Sequence, residues 1–488
     1  MNRKPIRKAD QPVQLQHKWG RDRSRALRAH GRSGVVTTRG AFVTGSIPRH
    51  ILVMTGTGAV GLVAIFIGDL ANILFLSLLG DTDVVAAVGY ASSILFLTVS
   101  VGIGLGIGAT SVVSPALGAG RRVRARRLTA SAHVITGIVA ALTALIIWLA
   151  IPWLLTGLGA RGRTHDLAAD YLSMLVPFLV PLALAMTSSA ILRSVGDARR
   201  SMHVTLAGAV VNTVLDPLFI FGLGLGIHGA AIATAIARIV ILVIGLIGVV
   251  HVHKLMGRVR LATLPRDARA LAAVAVPAVL TNIATPVANA FVTAAIAPFG
   301  DDAVAGFAIL GRVMPVAFGA IYALSSTVGP IIGQNYGAGD YGRMRDTITW
   351  SLIVVAGFSA AAWAALAALA GPLVALFRAE GQAAHLLVVF CWWLAPLFAF
   401  LGALFVANAV FNTLRHPHYA TAFNWGRATI GTMPFVWVGG QLAGAEGVLA
   451  ANMLGAVPFG LLAVWTSYRL VARLGRGAAG VTTPPPQG

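Results

Sequence analysis

The sequence predicts an all-α, polytopic membrane protein, and three observations carry that reading. Of its 488 residues, 57% are hydrophobic and only 11% are charged, with a mean hydropathy of +0.81. A soluble globular chain carries about a quarter charged residues, so this composition excludes an ordinary soluble protein. The hydrophobic residues gather in uncharged stretches long enough, at ~1.5 Å per residue, to cross a hydrocarbon core of ~30 Å. Nearly all of the 37 Lys and Arg residues fall between those stretches.

Apolar windows place twelve helices. Residues 1–47 precede them as a basic tail. The first 49 residues hold twelve basic and two acidic side chains and have no apolar region before Phe42, so the tail reads as neither a signal peptide nor a folded domain. It is expected to be disordered and cytoplasmic, within reach of anionic lipid headgroups. The first helix, 51–79, contains Asp69 with Asn72 three residues on, and no proline. The second spans 84–117 and the third 129–155. The fourth, 167–191, has Asp170 in its first turn, where a carboxylate suits the helix N-terminus. The fifth, 204–222, carries Asn212, Asp216 and Pro217, and the sixth, 229–252, carries Thr234 and Arg238. Segment 253–270, with Lys254, Arg258, Arg260, Arg266 and Arg269, is a connector. The remaining helices are 271–298, 303–336 with Arg312, 347–373, 385–413 with the single cysteine Cys391, 419–442 with Arg427, and 448–468; a second tail covers 471–488. One cysteine allows no intramolecular disulfide.

The charges orient the spans. With the N-terminus inside, 31 of the 37 basic residues fall in the tails and even-numbered loops, and only Arg161, Arg163 and Arg378 fall opposite. That asymmetry predicts cytoplasmic termini in a multi-pass protein of a bacterial plasma membrane. The formal charge of +21 is therefore a topology signal rather than a nucleic-acid footprint. A predominance of Arg over Lys, 33 to 4, together with Ala- and Gly-rich usage, suggests a GC-rich bacterial genome.

The chain also repeats. GAGRRVRAR at 118–126 and GAGDYGRMR at 337–345 match as GAGxxxRxR, 219 residues apart, and VAAVGY at 85–90 faces VAGFAI at 304–309 at the same offset. Six spans return the chain to the same side, so the repeat is parallel: a six-helix bundle at 48–252 and another at 271–470. Duplicated halves suit alternating access to a small-molecule substrate.

Chemistry concentrates in the first half. A carboxylate at mid-membrane costs ~2.5 to 3.5 kcal/mol on the insertion scale, so Asp216 requires partners or a proton. Asn212, four residues earlier, shares its helical face and can donate to it. Pro217 lacks an amide hydrogen and opens the backbone locally. Thr234 is on the next helix, and Asp69 with Asn72 supplies a second deep acid and amide. These five residues are the candidate cation site, for a proton or a sodium ion. Arg238 and Arg312 are the candidate charge partners; an Asp216 locked to Arg238 is the competing reading. No acid lies within any helix of the second half. HExxH, a P-loop and Cys/His ligand spacings are absent, which points away from an enzyme, a cofactor and any metal other than sodium.

Four segments, LGAGRRVRARR at 117–127, LRSVGDARRS at 192–201, NTVLDPLFIFGLGLGIHGAAIATA at 212–235 and VGPIIGQNYGAGDYGRMR at 328–345, resemble the multidrug and toxic-compound extrusion (MATE) family. The resemblance covers 45–470 and is nearest to its DNA-damage-inducible F branch. It implies two six-helix bundles in a V and export of amphipathic, often cationic compounds by cation-coupled antiport, in a functional monomer among membrane lipids. It places Asn212, Asp216 and Thr234 on ion-site positions. The family's first-helix aspartate falls on Asn72, and the acid appears one turn away at Asp69. A flippase for a lipid or lipid-linked saccharide is the alternative within the same superfamily.

Overall fold

The computed structural model describes residues 40–482. They form sixteen α-helices joined by short turns, with no strand among the described residues. In the first half these are α1 (Ile47–Ser77), α2 (Thr82–Gly118), α3 (Arg122–Gly157), α4 (Gly162–Leu175), α5 (Leu179–Val195), α6 (Ala198–Pro217) and α7 (Gly226–Ile247). The second half contains α8 (Leu264–Ile296), α9 (Asp301–Ala317), α10 (Gly319–Ala338), α11 (Tyr341–Leu376), α12 (Gly381–Val389), α13 (Phe398–Thr413), α14 (Pro417–Ala428), α15 (Met433–Leu454) and α16 (Ala456–Thr482).

The repeat is written into the helix boundaries. Thr82, Arg122, Gly162, Leu179 and Ala198 each begin a helix, and Asp301, Tyr341, Gly381, Phe398 and Pro417, each 219 residues later, do the same. The halves diverge where proline differs. α2 runs unbroken through Phe96, whereas its counterpart bends by 52° between α9 and α10, beyond Pro315. A proline removes one ladder hydrogen bond and clashes with the preceding turn, which is a sufficient cause for such a bend.

Ten helical stretches are long and apolar enough to cross a membrane, or eleven with the bent pair counted as one. This departs from the expected twelve because residues 417–477 run together as a 61-residue stretch. At ~1.5 Å per residue that stretch is about three times the hydrocarbon thickness. Its backbone breaks at Thr429–Thr432 and again at Ala443 and Gly444, and twelve spans follow if it crosses twice. Several helices also outrun their apolar windows: α3 begins at Arg122 and α8 at Leu264, inside segments expected to be loop and connector. A helical ladder continues into water wherever the sequence allows, so hydropathy marks the lipid-crossing part alone.

The expected disordered tail lies outside the described residues up to 39. Its last residues are ordered. Phe42 is buried; its N–H donates to Gln334 Oε1 at 2.8 Å, and its carbonyl accepts from Arg343 Nη2 at 2.9 Å and from Asn335 Nδ2 at 3.3 Å. A single aromatic residue docked on polar anchors thus ties down a stretch whose composition reads as unstructured, and α1 begins at Ile47.

Helices α2 and α10 hold the halves together. α2 packs on α3, α4 and α5 and also on α8 and α10; α10 packs on α11 and α13 and also on α1 and α2. The two GAG motifs meet at the arginine-rich end. A Cβ on Gly118 would collide with the Gln334 backbone, and one on Gly337 with the Pro115 carbonyl. Only glycine permits that backbone contact.

Candidate cation site

The site begins with the way α1 lies along α6. A Cβ on Gly61 would strike the Thr205 hydroxyl, and one on Gly68 would touch Ala209 and Thr213. Small residues of this kind allow helices to approach closely in lipid, where the hydrophobic effect does not drive them together. One turn beyond Gly68, the same seam carries Asn72 to Asp216.

Asp216 is the penultimate residue of α6, before Pro217 and a wide helical turn at Leu218–Gly222. Its side chain is completely buried, at 0% exposure. Asn72 Nδ2 donates to Asp216 Oδ2 at 2.8 Å, and Asn212 Nδ2 donates to the same oxygen at 2.9 Å. Asp216 Oδ1 and Asn212 Oδ1 are sealed from solvent without any hydrogen-bond partner. Buried polar atoms are ordinarily satisfied. Orphaned acceptors in one group suit protonation of the carboxylate or a small cation that takes oxygen ligands.

Thus Asn72, Asn212 and Asp216, three of the five residues singled out in the sequence, form one hydrogen-bonded group. Asp69 and Thr234 are not part of it. Asp69 is exposed on α1 and makes no hydrogen bond or ion pair among the described residues, because it lies three residues from Asn72 and therefore about 60° around the helix from the α6 seam. Thr234, half-buried on α7, lies against Tyr171. Tyr171 is the residue that sequence reasoning missed. It is buried on α4, beside Thr234 and within electrostatic range of Arg238, Asp216 and Asp69. Its signal was faint, one tyrosine directly after the more conspicuous Asp170.

The proposed charge partners are corrected. Arg238 is buried at 8% exposure, yet it makes no ion pair within 4.0 Å among the described residues; its Nη1 donates to the Leu175 carbonyl at 3.0 Å. That carbonyl lies at the end of α4, where the chain tightens into a turn at Val176–Phe178 that contains Pro177. Arg312 is exposed on α9 and is likewise without an ion pair among the described residues. An apolar recess of about 470 Å³ opens between α4 and α7, lined in part by Met174, Phe178, Ala231, Ala235 and Ile239; Asp216 is not among its walls. No group of three or more His, Cys, Asp or Glu side chains that could hold a metal occurs among the described residues.

A repeated bundle of apolar helices with a carboxyl group enclosed at depth defines a class, the multi-pass membrane transporter. Comparison with known proteins identifies the family. The sequence profile described as MatE matches residues 59–218 and again 277–438, two matches spaced like the GAG motifs. The chain belongs to the MatE family of MATE transporters; it is a transporter and not an enzyme. It is 28% identical over 438 residues to a FAD transporter of Shewanella oneidensis, covering 88% of this chain and 97% of that one. It is 26% identical over 297 residues to the multidrug export protein MepA of Staphylococcus aureus, covering 59% of this chain and 64% of that one. The crystal structure of the Vibrio cholerae MATE transporter VcmN in the bent form superposes with a TM-score of 0.82 at 27% identity, over 88% of this chain and 98% of that one.

Proposed function

We propose that this protein is a cation-coupled antiporter in which a proton or a sodium ion entering from outside binds at Asp216, and a small amphipathic solute leaves. The observation that carries this reading is the asymmetric carboxyl group: one oxygen takes both amide donors while the other, with Asn212 Oδ1, has none. A cation bound there changes the charge of a fully enclosed group. Coupling then requires that the outward-open and inward-open states bind the cation with different affinity.

In this reading the chain has twelve spans in two six-helix bundles, 48–252 and 271–470, with both termini in the cytoplasm of a bacterial cell, and it works as a monomer near the F branch of the family. The test is efflux from proteoliposomes driven by an imposed proton or sodium gradient. Asp216→Asn is expected to abolish gradient-driven transport while the protein still folds and inserts. Undiminished efflux in that variant removes Asp216 from the mechanism.

Two relatives bracket the solute. Likeness to the multidrug exporter favours drug-like cations, whereas the FAD transporter, matched over more of both chains, favours a flavin nucleotide. Transport of a cationic dye and of FAD by the same proteoliposomes separates the two.

A further inference from the structure

The second half contains a charge that nothing around it answers. Arg427 lies ten residues into the stretch that starts at Pro417, about 15 Å along a helix and so near the middle of a ~30 Å core. The helix stops one residue later, at Ala428, and a turn over Thr429–Thr432 leads into α15. The guanidinium is folded inward, and the residue is 7% exposed.

Its hydrogen bonding is nearly empty. Nη2 reaches the Thr285 hydroxyl of α8 at 3.4 Å, while Nε is sealed from solvent with no partner. No carboxylate lies within 4.0 Å among the described residues. One turn before Thr285, the Nδ2 of Asn282 is a second sealed donor without an acceptor. Tyr322 of α10 is in electrostatic range of the guanidinium. The apolar stretches of the second half offer no carboxylate, since no Asp or Glu occurs between Asp267 and Asp301, between Asp302 and Asp340, between Asp346 and Glu380, or between Glu380 and Glu446. Buried arginines are normally paired because an isolated charge at depth is costly. Arg427 has no such partner among the described residues.

The repeat sharpens the contrast. At the 219-residue offset Arg427 corresponds to Gly208, and Asp216 corresponds to Phe435. Asp216 and Arg427, each enclosed without an ionic partner, thus have no counterpart in the other half.

We propose that Arg427, with Asn282 and Thr285, forms an anion-recognising subsite for the transported solute, taking a carboxylate or phosphate group carried by a small molecule. The guanidinium presents a planar fork suited to two oxygens, and the amide and hydroxyl supply further donors. The subsite rests on the chain being a transporter and is independent of cation binding at Asp216.

The test uses purified full-length protein in detergent without any gradient, with riboflavin and flavin mononucleotide as probes, since the two share a ring system and differ by one phosphate. Binding is read by flavin fluorescence polarisation. Flavin mononucleotide is expected to bind at least about tenfold more tightly than riboflavin, as a charge-assisted bond predicts. Arg427→Gln should bring that ratio close to one with riboflavin affinity unchanged within about twofold, and Arg427→Lys should keep part of it. Because binding is read without any gradient, this result is separable from failure of the cation reading. If Arg427→Gln aggregates on size exclusion, Asn282→Leu and Thr285→Val carry the test, and each should reduce the ratio about threefold. The proposal is overturned by no binding of flavin mononucleotide, by equal binding of the two probes, by a ratio that survives these substitutions, or by parallel loss of both probes, which marks a packing role. Inorganic phosphate should displace flavin mononucleotide. Displacement by phosphatidylglycerol but not by phosphate would assign the subsite to lipid headgroups and overturn it as a solute site.

Discussion

At Asp216 the decisive quantity is the number of donors per oxygen. Hydrogen bonds to a charged group contribute roughly 1.5–3 kcal/mol each. Both donors serve Oδ2, so the carboxylate is half answered, a state suited to gaining and losing a cation. Asn72 stands at the position where the resemblance places an acid, and as an amide it donates to Asp216 rather than competing with it for the cation. Asn72→Leu is therefore expected to lower gradient-driven transport about tenfold, whereas Asp69→Asn, whose side chain is outside the hydrogen-bonded group, should change it less than about twofold. Initial efflux rates in matched proteoliposomes check both; equal losses would place Asp69 in the site after all.

Helices in this protein are positioned by glycine seams and interrupted where proline removes a donor. The seam along α1 sets the distance from Asn72 to Asp216, and the break at Pro217 ends α6 directly after the acid. A side chain at Gly61 must push α6 away at Thr205, while Gly56, five residues earlier on α1, faces open space. Gly61→Leu is expected to destabilise the folded protein by about 1–3 kcal/mol through overpacking, and Gly56→Leu to leave it within about 0.5 kcal/mol. Thermal unfolding in detergent measures the difference; similar midpoints for the two variants would mean that the seam does not hold the helices. Hydropathy could not show this, because Gly56 and Gly61 read alike in an apolar window and differ only in what they face.

Across the whole molecule, the arginine-rich end is the tied end. The GAG turns of α2 and α10 touch there, Phe42 docks on Gln334, and Gln334 Nε2 donates onward to the Ser194 carbonyl at 2.7 Å. Nearby, Asp197 accepts from Arg200 and from His253 Nε2, at 2.5 and 2.7 Å, linking the α5–α6 turn to the segment after α7. Burial pushes the Asp197 carboxyl up, but these hydrogen bonds outweigh it and hold it below its ordinary value. A carboxyl lowered in the folded state stabilises above its unfolded value of about 3.9, and that contribution is lost as pH falls through the lower folded value. The thermal-stability difference between wild type and Asp197→Asn should therefore be present at pH 5 and shrink below about pH 4. A difference that grows on acidification would contradict it.

Much of this protein is determined by sequence alone. Helices, their repeat at 219 residues and the isolation of Asp216 follow from composition and spacing, because a lipid solvent forces backbone bonds into helices and makes each internal charge conspicuous. Asn212 was legible for the same reason, four residues from Asp216 on the same helical face. What only the tertiary structure decided is which residues meet across helices. Asn72 rather than Asp69 reaches Asp216, Arg238 turns to the Leu175 carbonyl, Tyr171 joins Thr234, and Arg427 stands beside Thr285 without an acid. Those contacts depend on the rotation and spacing of packed helices. A shift of one residue turns a side chain by about 100°, and no local pattern specifies that angle.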